Sequence, residues 1–145
     1  MKTAIFPGSF DPFTLGHKAV VDHALPLFDR VVIAVGTNRQ KKRMMPTVEI
    51  IERIKAIYSN NEKIEVASYD CLTTDFANKY DAHYIVRGVR NTADFEYERN
   101  IADINRRLTG IDTIFFIADP DTAYISSSLV RELASFGKPI EHLLP

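Results

Sequence analysis

The 145-residue sequence has a single cysteine, Cys71, so no intrachain disulfide can form and a cysteine-based zinc site would lack ligands. That usage fits a reducing, cytoplasmic setting. Nowhere do about 18 apolar residues run together, the length a membrane-spanning helix needs. The opening MKTAIFPGSF has no apolar stretch long enough for a signal peptide, so no membrane partner is expected. An excess of one charge is missing too. The 18 lysines and arginines face 19 aspartates and glutamates, which excludes a global field for long nucleic acids or an acidic bilayer. Any anionic ligand must be met by a local cluster. The four histidines, at 17, 23, 83 and 142, are too scattered to build a metal cage. The phosphate-binding patterns G-x-x-x-x-G-K-[ST] and G-x-G-x-x-G are absent, as is the nucleophile elbow G-x-S-x-G. Covalent catalysis has no evident agent.

At 46% apolar and 26% charged, the chain has the make-up of one domain with a sizeable core, spanning residues 1–145. Apolar runs at 3–6, 31–36, 63–68, 84–86 and 113–118 are continuous rather than alternating, the pattern of strands covered on both faces. Helical spacing fills the gaps. A first helix starts near Gly16 and is kinked or ended by Pro26. A second follows Pro46 with Thr47 as its N-cap. Others cover 73–80, 92–108 and 127–136, the last closed by Gly137. Strand-helix alternation with right-handed crossovers gives an α/β fold, a doubly wound, five-stranded parallel sheet of Rossmann-like type. Ligands of such sheets bind beyond the carboxyl ends of the strands.

The unusual residues collect at those ends. GSFDPFTLGH, residues 8–17, runs from the first strand into the first helix. Its free N–H groups and the helix dipole suit an anion, Gly16 would let a phosphate come close, and His17 can point at it. DTAYISSSLVRE repeats the design, with Ser126, Ser127 and Ser128 at a helix start and Arg131 one turn on. RQKKR, residues 39–43, and Arg87-Gly88-Val89-Arg90 add charge after the second and fourth strands. Arg87 continues an apolar strand, where burial without an anionic partner would be costly. Most charges of TADFEYERNIADINRRL read as a solvated, ion-paired face. Glu98 stands out because it could reach a ribose or base. Helix N-termini, basic groups and one histidine suit direct phosphoryl or nucleotidyl transfer, in which positioning and charge stabilisation supply most of the rate.

These residues resemble a family. Thr14-Leu15-Gly16-His17 looks like the (H/T)xGH signature of the nucleotidyltransferase superfamily, and ISSSLVRE looks like its ISSTxxR partner. RGVRNTADFEYERNIADINRRL is similar to the RGxR…DFEYE segment of bacterial phosphopantetheine adenylyltransferases, and the likeness covers nearly the whole chain. It implies transfer of the adenylyl group of ATP to 4′-phosphopantetheine, giving dephospho-coenzyme A and pyrophosphate, with Mg²⁺ accompanying the ATP. It also implies a homohexamer built as a dimer of trimers. By position, His17 would hydrogen-bond the α-phosphate, and Lys41 and Arg87 would hold the phosphopantetheine phosphate. Ser9 would touch both substrates, Phe10 would line the nucleotide pocket, and Thr73 would meet the pantetheine arm. Gly88, Val89, Arg90 and Glu98 match ATP-contacting positions. So do Thr122, Ala123, Tyr124, Ile125, Ser126, Ser127 and Ser128. The basic loop departs from the family pattern by an inserted residue, which leaves Lys41 and Lys42 as alternative phosphate ligands. The competing readings are a nicotinate mononucleotide adenylyltransferase and a non-catalytic nucleotide or coenzyme A sensor.

Overall fold

Side chains of the central runs alternate between two covered faces, which is why those runs read as continuous, while the outer runs at 63–68 and 113–118 are only partly covered. Ala4 and Phe6 join Val31, Ile33 and Val35 in one core, while Ile5 joins Val32 and Ala34 in another. The computed structural model describes residues 1–37 and 42–145. Its strands are β1 (Thr3–Gly8), β2 (Arg30–Gly36), β3 (Ile64–Tyr69), β4 (Tyr84–Val89) and β5 (Asp112–Ile117). All pair in parallel, in the order β3-β2-β1-β4-β5. Helices α1 (Leu15–Ala24) and α2 (Thr47–Ile57) cover the first core through Val21, Ala24, Ile50 and Ile54. Helix α3 (Thr73–Lys79) covers the second through Phe76 and Ala77. Helix α4 (Thr92–Thr109) lies on that same side, where Phe95 packs against Phe115. The sheet is therefore doubly wound.

The order reverses between β1 and β4, and there the sheet opens. β1 pairs with β4 only at Ala4↔Tyr84 and Ile5↔Ile85, although both strands run on for three or more residues toward their carboxyl ends. Pro7, which has no N–H to donate, sits in this splayed stretch. A crevice at the switch point follows.

Several boundaries differ from the sequence expectation. β4 extends to Val89, so Arg87 and Gly88 belong to the strand rather than to the loop after it. α1, by contrast, runs as expected, starting at Leu15 beside Gly16 behind the Thr14 cap and ending at Ala24 ahead of Pro26. Pro46 occupies the N-cap position of α2, with Thr47 as the first helical residue. The final helix α5 (Ser127–Ser135) is followed by a short 3₁₀ turn at Glu141–Leu143 that the sequence reading missed. Its Leu143 is buried in a third cluster with Ile125 and Val130, which pins α5 and the loop before it. Among the described residues no helix is long and apolar enough to cross a membrane.

Candidate active site

The T-x-G-H stretch forms a capping box. Thr14 adopts extended backbone and its hydroxyl oxygen accepts from the His17 N–H at 3.4 Å. In return the Thr14 N–H donates to His17 Nδ1 at 2.9 Å, the role Glu or Gln usually plays at this position. A backbone N–H can only donate, so Nδ1 is unprotonated and the imidazole proton resides on Nε2. Nε2 has no partner among the described residues, and the ring lines a cavity of about 320 Å³. Aromatic rings hold it in place: Phe10 meets it edge-on at 4.9 Å and Phe13 stacks on it at 5.4 Å. Burial, with the charges of Arg87 and Arg90 adding to it, pushes the His17 pKa down to about 3. The start of α1 acts in the same sense. His17 is thus a neutral donor at physiological pH. Phe10 reaches its place by taking a positive φ of 49°, a conformation costing on the order of 1–3 kcal/mol that its packing must hold.

α5 faces α1 across the cavity. Ser126 caps α5, its hydroxyl accepting from Leu129 N–H at 3.1 Å. Ser127 donates to the Pro12 carbonyl at 2.8 Å, and Arg131 donates to the Asp11 carbonyl at 2.7 Å. A Cβ on Gly16 would stand 3.3 Å from the Ile125 carbonyl oxygen. The loop before α5 therefore packs closely on Gly16. Two helix N-termini consequently open on one cavity, the arrangement that attracts anions.

Arg87 divides this cavity from a second one. Its Nε and one terminal nitrogen donate side-on to Glu98, at 3.0 and 2.6 Å, and the other terminal nitrogen donates to the Pro7 carbonyl at 2.5 Å. This pair uses both carboxylate oxygens of buried Glu98, so Glu98 is first of all the partner of Arg87. The second cavity, about 300 Å³, lies between β4, α3 and α4 and shares Pro7, Gly8, Arg87 and Glu98 with the first. Arg90 is held by Asp94 at 2.9 Å. Burial works against the Asp94 carboxylate, but the hydrogen bonds from Arg90 outweigh it and hold the group below the usual carboxylate range.

Most of the expected residues come together. Ser9, Phe10, His17, Gly88 and Arg90 line the first cavity, as do Thr122, Ile125 and Ser126 to Ser128. Arg87 and Glu98 line both cavities, and Thr73 lines the second. The Thr73 hydroxyl is paired with Tyr69 Oη at 3.0 Å. Val89 is buried beside the site, while Ala123 and Tyr124 lie outside both cavities, Tyr124 largely exposed. Lys41 falls outside the described residues; Lys42 is exposed. Sequence reasoning missed Thr14, whose T-x-x-H spacing is a capping-box signal. Asp94 is ion-paired, as read for that face, but its place on the first cavity was missed, as were the structural bonds of Ser127 and Arg131. Among the described residues no group of three or more His, Cys, Asp or Glu could hold a metal.

A crevice with paired helix ends suits an anionic ligand such as a nucleotide, and the cytidylyltransferase-like family model matches residues 5–133. The phosphopantetheine adenylyltransferase of Phocaeicola vulgatus is 50% identical over 145 residues, covering 100% of this chain and 96% of that protein. That of Bacteroides thetaiotaomicron is 48% identical with the same coverage. That of Porphyromonas gingivalis is 45% identical over 142 residues, 98% of this chain and 93% of that protein. The chain belongs to the cytidylyltransferase-like nucleotidyltransferases and, within them, to the phosphopantetheine adenylyltransferase family.

Proposed function

We propose that the protein transfers the adenylyl group of ATP to 4′-phosphopantetheine, giving dephospho-coenzyme A and pyrophosphate, a step of coenzyme A synthesis in the cytoplasm. The observation that carries this reading is His17, a tautomer-fixed Nε2–H donor between two helix N-termini, one arginine away from a second cavity. The nucleotide occupies the first cavity, received by Ser9, Phe10, Gly88, Arg90, Glu98, Thr122, Ile125 and Ser126 to Ser128, with Val89 packed beside it. The acceptor's arm lies in the second, against Thr73, with its phosphate at Arg87 on the partition. Lys41 or Lys42 supplies further charge to that phosphate.

An oxygen of the acceptor phosphate attacks the α-phosphorus, and the bond to the β-phosphate oxygen breaks on the opposite side, releasing pyrophosphate. The enzyme supplies no nucleophile. It aligns two anions that repel each other and stabilises the charge that grows on the α-phosphate oxygens. His17 Nε2–H donates to that charge. Mg²⁺ enters as part of the MgATP substrate, because the nearby carboxylates of Glu98 and Asp94 are committed to Arg87 and Arg90. The homohexamer is part of the proposal. Tyr97, Ile101, Ile104 and Leu108 recur at helical spacing along α4, and all are exposed in one chain, an apolar stripe suited to a second copy.

Incubation with ATP, Mg²⁺ and either 4′-phosphopantetheine or nicotinate mononucleotide, followed by a pyrophosphate assay, tests the substrate. Release with phosphopantetheine alone is expected. Release with nicotinate mononucleotide alone overturns the reading, and nucleotide binding without release with either acceptor makes the protein a sensor.

A further inference from the structure

Two carboxylates are buried, and they are satisfied differently. Glu98 has Arg87. Asp11, 4% exposed, has no cationic partner among the described residues. Each of its oxygens instead accepts one backbone N–H, from Met44 to Oδ2 at 2.8 Å and from Met45 to Oδ1 at 2.9 Å. Those residues directly follow the basic run 39–43 and lead into α2. Arg43, the last of the run, donates to the Gly36 carbonyl at the end of β2 and to the Ser9 carbonyl at 3.0 Å. The exit of the basic loop is therefore tied to its own entrance and to the loop that carries His17. The main chain around Asp11 takes the bonds from α5 as well, Arg131 to its carbonyl and Ser127 to that of Pro12. Three segments that build the site meet at one residue.

We propose that Asp11 is a positioning residue for the acceptor phosphate: by gripping the Met44 and Met45 N–H groups it fixes where Lys42, two residues before Met44, stands relative to His17. Asp11 touches no substrate. A carboxylate is suited to the task because its two oxygens can each take a separate N–H, whereas an asparagine offers only one oxygen. Displacement of about 1 Å in such a site costs on the order of a hundredfold in rate. The inference rests on the proposed function, in which a lysine of the run holds the phosphopantetheine phosphate.

The test uses the full chain with Asp11→Asn, Arg43→Ala as a second route to the same brace, Lys41→Ala/Lys42→Ala, and the combination of each brace variant with the lysine pair. Kcat, KM for each substrate, the Kd of a non-hydrolysable ATP analogue and Tm are measured. The expected result is a loss of roughly tenfold or more in kcat/KM for phosphopantetheine in either brace variant, with ATP-analogue affinity changed less than about threefold. Added to the lysine substitutions, the brace variants should then cost little more, because both act through the same charge. Wild-type kcat/KM for phosphopantetheine in a folded brace variant overturns the inference. So do losses that multiply with those of the lysine substitutions, or equal losses for both substrates. Arg43→Ala keeps the question open to test if Asp11→Asn does not fold. A wild-type protein that does not turn over phosphopantetheine would instead sink the proposed function.

Discussion

Replacing His17 tests the catalytic and structural halves of its role separately. In His17→Ala the site loses Nε2–H, and deletion of one such donor lowers kcat by ~10²–10³, or about 2.7–4 kcal/mol of transition-state stabilisation. The same change removes the bond from Thr14 N–H to Nδ1, worth about 0.5–2 kcal/mol as a helix cap. It also removes the ring contacts to Phe10 and Phe13, each about 0.5–1.5 kcal/mol. Stability should therefore fall by ~1.5–5 kcal/mol, and for a chain of this size each kcal/mol is about 2–4 °C in Tm. His17→Asn divides the effects. Its Oδ1 stands where Nδ1 stood and keeps the Thr14 bond, but no atom replaces Nε2. Steady-state pyrophosphate release and thermal melts on the three proteins read both quantities. His17→Asn should recover about 1 kcal/mol of the stability lost in the alanine variant and none of the rate. Recovery of kcat to within tenfold of wild type in His17→Asn would refute the donor role and leave the histidine as a helix cap.

Four further outcomes follow from the same geometry. Because the folded-state pKa of His17 is about 3 against an ordinary 6.5, the unfolded chain binds a proton that the folded one refuses between those values. The contribution of His17 is then complete above pH 6.5 and fades as pH falls toward 3; urea titrations at pH 7 and pH 4.5 should show a smaller loss for His17→Asn than for wild type. Glu98→Gln should cost about 2–4 kcal/mol in chemical denaturation, because it strands a partly buried Arg87, and it should raise KM for phosphopantetheine. Gly88→Ala puts a Cβ 2.7 Å from Val20 Cγ2, so a Tm loss equivalent to ~1–3 kcal/mol is expected from overpacking. Ile104→Glu, in the exposed stripe of α4, should dissociate the proposed hexamer to smaller species in light scattering without unfolding the chain; a monomeric wild type would remove the assembly from the proposal.

The sheet was legible because burial on both faces writes strands as continuous apolar runs and right-handed crossovers join parallel strands into a doubly wound sheet; its order, β3-β2-β1-β4-β5, is set by tertiary packing. Element ends were less so. Arg87 reads as the continuation of an apolar strand in need of an anionic partner, and β4 does carry it; that Gly88 and Val89 stay in the strand was not visible, nor that the partners are Glu98 and the Pro7 carbonyl at the opened β1/β4 edge. Which carboxylate neutralises Arg87 is a tertiary event with no local signal. The anion-binding character of residues 8–17 was visible from the helix start, Gly16 and His17, but the fixed tautomer of His17 needed the Thr14 cap to be seen. Serines at the start of α5 were found as a group, whereas the commitment of Ser127 to Pro12, 115 residues away, lies beyond any local pattern. Nothing in the sequence marked Asp11 as more than a turn residue.

The central claim is direct transfer between two bound anions, without an enzyme-bound adenylyl group. A rapid-quench experiment tests it most directly: enzyme in excess over ATP, with Mg²⁺, with and without 4′-phosphopantetheine, following pyrophosphate, dephospho-coenzyme A and the intact mass of the protein. Pyrophosphate and dephospho-coenzyme A should appear together at one rate, with no pyrophosphate when the acceptor is omitted and no change in protein mass. A pyrophosphate burst without acceptor, matched by an adenylylated protein, would contradict it.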